Sequence, residues 1–95
     1  MSDRDWKLYV VECDDETLYT GITTDVDRRI AEHNGSKKGA RYTRSRRPVT
    51  LVASWCCGTQ SKAARAEYAF KALSRGEKLE VLDEGELSAV ITFDE

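Results

Sequence analysis

Two runs of strand-forming residues stand close together near the start of the chain, and they constrain its fold more than any other feature. Trp6 to Glu12 carries Trp6, Leu8, Tyr9, Val10 and Val11; Asp14-Asp15-Glu16 breaks the run, and Thr17-Leu18-Tyr19-Thr20-Gly21-Ile22 resumes it. β-Branched and aromatic residues suit a pleated, half-buried surface, whereas an acidic cluster suits a turn. A β-hairpin is the economical reading, with Leu8, Val10 and Leu18 as candidates for its buried side. Tyr9 and Tyr19 then lie on neighbouring strands, where each can either pack or carry chemistry.

Helix signals follow at once. Thr24 is the expected N-cap, and Asp25 and Asp27 fall in the first turn, where carboxylates complement the helix dipole. Val26 and Ile30 recur at i and i+4, and Asn34-Gly35 is a helix stop. Residues 36–47 are polar and basic, an irregular loop or a short helical turn. Pro48 opens a strand from Val49 to Trp55. Thr59 to Leu73 reads as a helix with an apolar stripe of Ala63, Ala66, Phe70 and Leu73. Ser74-Arg75-Gly76 breaks it, and Glu77 to Leu82 forms a further short helix. Ser88 to Phe93 has strand propensity but no identifiable partner. The order β-β-α-β-α-α predicts an α/β (α+β) domain: a small, mainly antiparallel three-stranded sheet that starts with a β-hairpin and is flanked by helices.

A length of 95 residues allows one domain with a modest core. No apolar run approaches the roughly 20 residues that span a bilayer, and Met1-Ser2-Asp3-Arg4-Asp5 has no apolar stretch of a secretory signal. The expected compartment is the cytoplasm. Cys13, Cys56 and Cys57 suit neither a disulfide framework nor paired zinc spacing, and read as small buried hydrophobes. The net charge is −2, yet its distribution is uneven. Arg28, Arg29, Lys37, Lys38, Arg41, Arg44, Arg46 and Arg47 are opposed only by Glu32, whereas residues 77–95 are strongly acidic. Such asymmetry fits either a solvated face or one basic surface for a polyanion.

Three further side chains are candidates for chemistry. Arg29 and His33, four apart on the first helix, share a face that borders the core. His33 is the only histidine. Glu67 lies between Ala63 and Phe70 on its own face, where a carboxylate needs an ion partner, such as Arg29 or Arg65, or a metal. All of them, with Tyr9 and Tyr19, are expected on one concave, solvent-reachable surface.

These residues resemble, in order and spacing, the GIY-YIG nuclease superfamily. Lys7-Leu8-Tyr9 stands at the first motif and Tyr19-Thr20-Gly21 at the second. Ile22-Thr23 through Arg28-Arg29 and Glu32-His33-Asn34-Gly35 match the helix that supplies the family's arginine and histidine. Lys38-Gly39-Ala40-Arg41-Tyr42-Thr43, Arg47-Pro48 and Ala66-Glu67-Tyr68 continue the match, which covers about residues 5–82. The chain looks most like small stand-alone bacterial and archaeal members, and is similar to the nuclease domain of structure-specific endonucleases that cut branched DNA. Lys7, Leu8 and Thr20 depart from the motif letters. No asparagine follows Glu67, as it does in many members, because Asn34 is the only one in the chain.

The resemblance implies a nuclease-like domain over residues 1–82, with 83–95 an acidic C-terminal extension that is either part of it or a tail. It implies a metal-dependent endonuclease acting on DNA, with RNA left open, in repair or processing. Mg2+ (or Mn2+) would be held by Glu67, and Arg29 would grip a phosphate oxygen. Tyr9 would be general base or water-orienting group, with Tyr19 and His33 orienting water and phosphate or relaying a proton. Gly21, Lys37, Lys38, Arg41, Tyr42, Arg44, Arg46 and Arg47 would contact substrate, and a protein partner would supply any sequence specificity. The alternative is a nucleic-acid-binding module on the same fold with little or no catalysis.

Overall fold

The computed structural model describes residues 5–35 and 37–85. Strand β1 (Trp6–Glu12) is central and pairs antiparallel with β2 (Leu18–Thr23) on one side and β3 (Thr50–Gly58) on the other. The helices are α1 (Val26–Gly35), the single turn α2 (Arg41–Arg44), α3 (Gln60–Lys71) and α4 (Arg75–Glu84). The expected hairpin, antiparallel sheet and helical order are therefore present. The strand expected at Ser88 to Phe93 lies outside the described residues.

The sheet is covered on both faces, which explains why β1 reads as a run and not as an alternation. Leu8 and Val10 point to one side, where they meet Ala66 and Phe70 of α3 and Val81 of α4. Leu18 is partly buried against the same cluster. Tyr9 and Val11 point to the other side and pack with Cys13, Val49, Tyr19 and, from α1, Val26 and Ile30. A strand buried on both faces needs apolar side chains at odd and even positions alike. The second buried face was not anticipated, because its partners come from a helix whose docking no local pattern announces.

Local chemistry sets the element ends. The hairpin turn closes with Cys13 N–H donating to the Thr17 carbonyl at 2.8 Å, and the Asp15 carboxylate accepts from the Thr17 hydroxyl at 2.6 Å. Helix α1 begins one residue later than expected. Asp25, not Thr24, accepts from the Arg28 N–H at 3.1 Å, while the Thr23 hydroxyl accepts from the Asp25 N–H. A carboxylate is the stronger acceptor for orphan donors at a positive helix end.

Ser74 starts a helix where a break was expected. Its hydroxyl accepts from the Glu77 N–H at 3.2 Å, and the Glu77 carboxylate accepts from the Ser74 N–H at 2.9 Å. This reciprocal capping box lets α4 tolerate Gly76 in its first turn, and left-handed Gly85 (φ 75°) ends the helix. Ser74→Ala should lower stability by about 1 kcal/mol, read as a shift in the urea midpoint.

Cys13 is buried and Cys57 packs against the core, as expected, but Cys56 is exposed on the edge strand. No helix among the described residues is long and apolar enough to cross a membrane.

Candidate active site around Tyr9 and His33

The hairpin register places Tyr9 directly opposite Gly21 and Val11 opposite Tyr19. Tyr9, Gly21 and Tyr19 therefore share the face covered by α1. A Cβ built on Gly21 would lie 2.5 Å from the Tyr9 hydroxyl oxygen and 2.7 Å from its Cζ. Gly21 is thus the floor under the Tyr9 phenol, a role different from the substrate approach expected of it. Gly21→Ala should displace the phenol and lower any Tyr9-dependent turnover by about 100-fold, measured as single-turnover rate.

From above, α1 brings His33 onto the same phenol. The Tyr9 hydroxyl and His33 Nε2 are 2.7 Å apart. The other ring nitrogen, Nδ1, accepts from the Ala40 N–H at 3.2 Å and lies 3.1 Å from the Thr43 hydroxyl oxygen. Tyr19 meets the imidazole edge-on, with ring centroids 5.4 Å apart. Both His33 and Tyr9 are essentially closed to solvent, at 0% and 1% exposure. This corrects the expectation of an open surface for this pair: α1 lays its histidine face onto the sheet. Asn34 helps to hold it there by bonding Val49 twice, Nδ2 to the carbonyl at 3.0 Å and Oδ1 to the N–H at 2.7 Å.

Burial dominates the electrostatics. It pushes the Tyr9 phenol up to about 12, against the opposing pull of a hydrogen bond from Arg29. Burial, reinforced by the Arg29 charge, lowers His33 to about 4, so the ring is neutral at neutral pH. Arg29 is the positioned arginine: its side chain is 28% exposed, against 67% for Arg28. Its Nη1 donates to Glu32 at 2.9 Å and to the Lys38 carbonyl at 2.7 Å. Tyr9, Tyr19, Arg29 and His33 are therefore one connected cluster.

Glu67 stands on α3, whose Ala66 and Phe70 pack on the Leu8 and Val10 side of the sheet, and its charge is the weakest of the influences on Tyr9. Its ion partner is Lys71, one turn on at 3.1 Å, and not the Arg29 or Arg65 considered from the sequence. The i, i+4 spacing would have revealed that pair. Glu67 is half-buried, and among the described residues no three His, Cys, Asp or Glu side chains gather as a ligand set. One half-buried carboxylate is less than the three or four protein ligands of a zinc centre, and is what a hard cation that keeps its own waters would need from the protein.

The basic segment divides in two. Lys37, Lys38 and Arg41 are exposed. Arg44 donates to the Lys37 carbonyl at 2.8 Å, Arg46 pairs with Asp15 at 2.9 Å, and Arg47 donates to the His33 carbonyl. These three arginines thus hold the loop in shape as well as adding charge. Tyr42 has Tyr19 stacked on one side and the Arg46 guanidinium 4.0 Å from its ring centroid. Tyr42 keeps 38% of its surface exposed beside these two contacts. Thr43, fully buried against His33, had been assigned no role from the sequence although it stood within a recognised motif.

Residues 5–80 match the family model described as the GIY-YIG catalytic domain. The UPF0213 protein DP2720 of Desulfotalea psychrophila is 62% identical over 69 residues, which span 73% of this chain and 63% of that protein. The UPF0213 protein HQ_3675A of Haloquadratum walsbyi is 50% identical over 82% of this chain and 86% of its own length. Among solved structures, the UPF0213 protein BH0048 from Bacillus halodurans is similar with a TM-score of 0.56 at 48% identity, covering 84% of each chain. The protein EF2693 from E. faecalis has a TM-score of 0.59 at 39% identity and the same coverage.

Proposed function

The chain belongs to the GIY-YIG catalytic domain family, and on that premise we propose that it is a metal-dependent endonuclease hydrolysing phosphodiester bonds in DNA. The observation that carries the reading is the cluster itself: Tyr9 hydrogen-bonded to His33, whose ring Tyr19 meets edge-on, with the Arg29 charge acting on the phenol and Gly21 beneath it. A structural tyrosine has no need of a neutral histidine, an arginine and a glycine floor around its hydroxyl.

Arg29 grips a non-bridging phosphate oxygen, where its planar fork suits the geometry. Its present partners, the Glu32 carboxylate and the Lys38 carbonyl, hold the guanidinium ready and are in part displaced by the phosphate. Engaging Arg29 in this way also opens the approach to the Tyr9 oxygen, which first releases its own proton to solvent and then, as the phenolate, accepts the proton of the attacking water. Tyr19 orders that water at the rim. Glu67 would hold Mg2+ or Mn2+, and a cation there would supply neutralisation of the charge that develops on the phosphoryl group. The raised Tyr9 proton affinity fits a base that is protonated at rest and becomes competent only when positive charge approaches.

Lys37, Lys38, Arg41 and the loop arginines bind phosphates, which gives affinity without sequence readout. A surface that contacts phosphates and not bases is compatible with selection by shape, of branched, flap or nicked DNA in repair or processing. With about four phosphates engaged, log K should fall with log salt at a slope of about −4, measured by fluorescence anisotropy on a duplex.

One observation favours a second reading, a binding module without useful catalysis: Tyr9 is buried and holds its proton tightly. A substrate panel of duplex, flap, junction and single-stranded DNA, with RNA counterparts, separates the two. Cleavage that requires added Mg2+ or Mn2+ supports the enzyme; salt-sensitive binding without any cut strand supports the module.

A further inference from the structure

The contacts on the far side of His33 are more specific than packing requires. A backbone N–H can only donate, so the Ala40 N–H at 3.2 Å demands a lone pair on Nδ1. The Thr43 hydroxyl, 3.1 Å from the same nitrogen, can donate to it, or donate to the Ala40 carbonyl at 2.9 Å and serve either tautomer as a neighbour, so it is the Ala40 N–H that decides. The neutral ring must then carry its proton on Nε2, the nitrogen 2.7 Å from the Tyr9 hydroxyl.

The loop that delivers the Ala40 N–H is itself seated closely. A Cβ on Gly39 would lie 2.7 Å from the Glu32 carbonyl oxygen and 2.8 Å from the His33 Cα. Both are backbone atoms of α1 and cannot swing aside. Gly39 is therefore what allows the loop to lie against the end of α1. Arg29 donating to the Lys38 carbonyl and Arg44 donating to the Lys37 carbonyl hold it there.

We infer that Gly39, Ala40 and Thr43 form a positioning device that fixes His33 as the Nε2–H tautomer, so that His33 donates to Tyr9 and cannot take its proton. The significance of this rests on the nuclease reading. With His33 donating to the phenol oxygen, the Tyr9 proton must point away from His33. That donor and the nearby Arg29 charge also favour the phenolate once it forms. His33 is thereby a fixed donor and not a relay, which decides between the roles the sequence left open.

The test uses the full chain with 15N-labelled histidine, without DNA or metal, in long-range 1H–15N spectra at pH 7.5. The expected result is an unprotonated Nδ1 and a protonated Nε2 in the wild type, unchanged in Tyr9→Phe, and a mixture of tautomers in Gly39→Ala. If Gly39→Ala does not fold, Thr43→Val supplies the mixture and Thr43→Ser restores the single tautomer. A wild-type ring protonated on Nδ1 overturns the inference. So does a switch of tautomer in Tyr9→Phe, because Tyr9 and not the loop would then set it. Absence of DNA cleavage by a protein that keeps the Nε2–H ring would defeat the nuclease reading and leave this assignment standing.

Discussion

Tyr9→Phe is expected to lower the single-turnover rate of DNA cleavage by about 10²–10⁴-fold, the usual contribution of a positioned general base. The substitution removes one oxygen from a ring that stays in place over Gly21 and beside His33. It also leaves the His33 Nε2–H without its acceptor inside a closed site, which costs about 1–3 kcal/mol of stability. Rate and stability therefore have to be measured on the same preparation, well below its unfolding transition. A folded Tyr9→Phe protein that cuts as fast as the wild type would remove Tyr9 from the mechanism. The affinity for duplex should change little, since the proposal assigns phosphate binding to Arg29 and the basic loop.

Acid should destabilise the protein through His33 before it does so through any carboxylate. The folded-state value of about 4 lies below the usual 6.5, because burial and the Arg29 charge disfavour the imidazolium. A depressed value means that the unfolded chain binds the proton first. The contribution is fully present above pH 6.5, is lost progressively as pH falls toward 4, and is gone below it. Its full size is about 3 kcal/mol at 1.36 kcal/mol per unit, a large part of what a domain this size can hold. Asp15 and Glu32 are also depressed, by the Thr17 hydrogen bond and the Arg29 hydrogen bond respectively. Their contributions fade only in the lower, carboxylate range. Urea midpoints between pH 7 and 4.5 should fall steeply in the wild type and stay nearly flat in His33→Gln. Equal slopes would mean that His33 does not hold its proton so weakly.

How much of this was legible depends on whether the determinant was local. The hairpin could be read because the strand formers and the acidic break sit within a short stretch, and antiparallel pairing then brings Tyr9 opposite Gly21. The turn of helix that unites Arg29 with His33 follows from spacing alone. The closure of Tyr9 and His33 could not be read, because it depends on α1 docking its Val26 and Ile30 side, with His33, onto the sheet against Val11 and Val49. The Ala40 N–H left no trace either: a backbone donor has no residue type. Arg46 looked like a phosphate ligand because its partner, Asp15, lies far away in sequence. Glu67 could be recognised as an outlier by its apolar neighbours, while Lys71, which answers part of its charge, was overlooked at a spacing that should have given it away.

The basic loop illustrates a related point. Clustered arginines suggest a polyanion surface, yet Arg44, Arg46 and Arg47 each bond groups of the protein itself. Those bonds shape the segment that carries Lys37, Lys38 and Arg41 at the surface and presents the Ala40 N–H to His33. One segment thus shapes the proposed phosphate-binding face on its outside and the histidine on its inside. Substitutions there should affect binding and turnover together, and charge reversal at Arg41 affects binding most cleanly, because Arg41 is exposed.

The central claim is that this cluster hydrolyses DNA with a cation held by Glu67, and one measurement addresses it most directly. Wild type and Glu67→Gln are incubated with end-labelled nicked and branched duplexes, with Mg2+ present or chelated, and the products are resolved on a denaturing gel. The account predicts cut strands only for the wild type with the cation present, and loss of about 10²-fold or more in Glu67→Gln at unchanged duplex affinity. Intact strands in every lane, or equal cutting by Glu67→Gln, would contradict it.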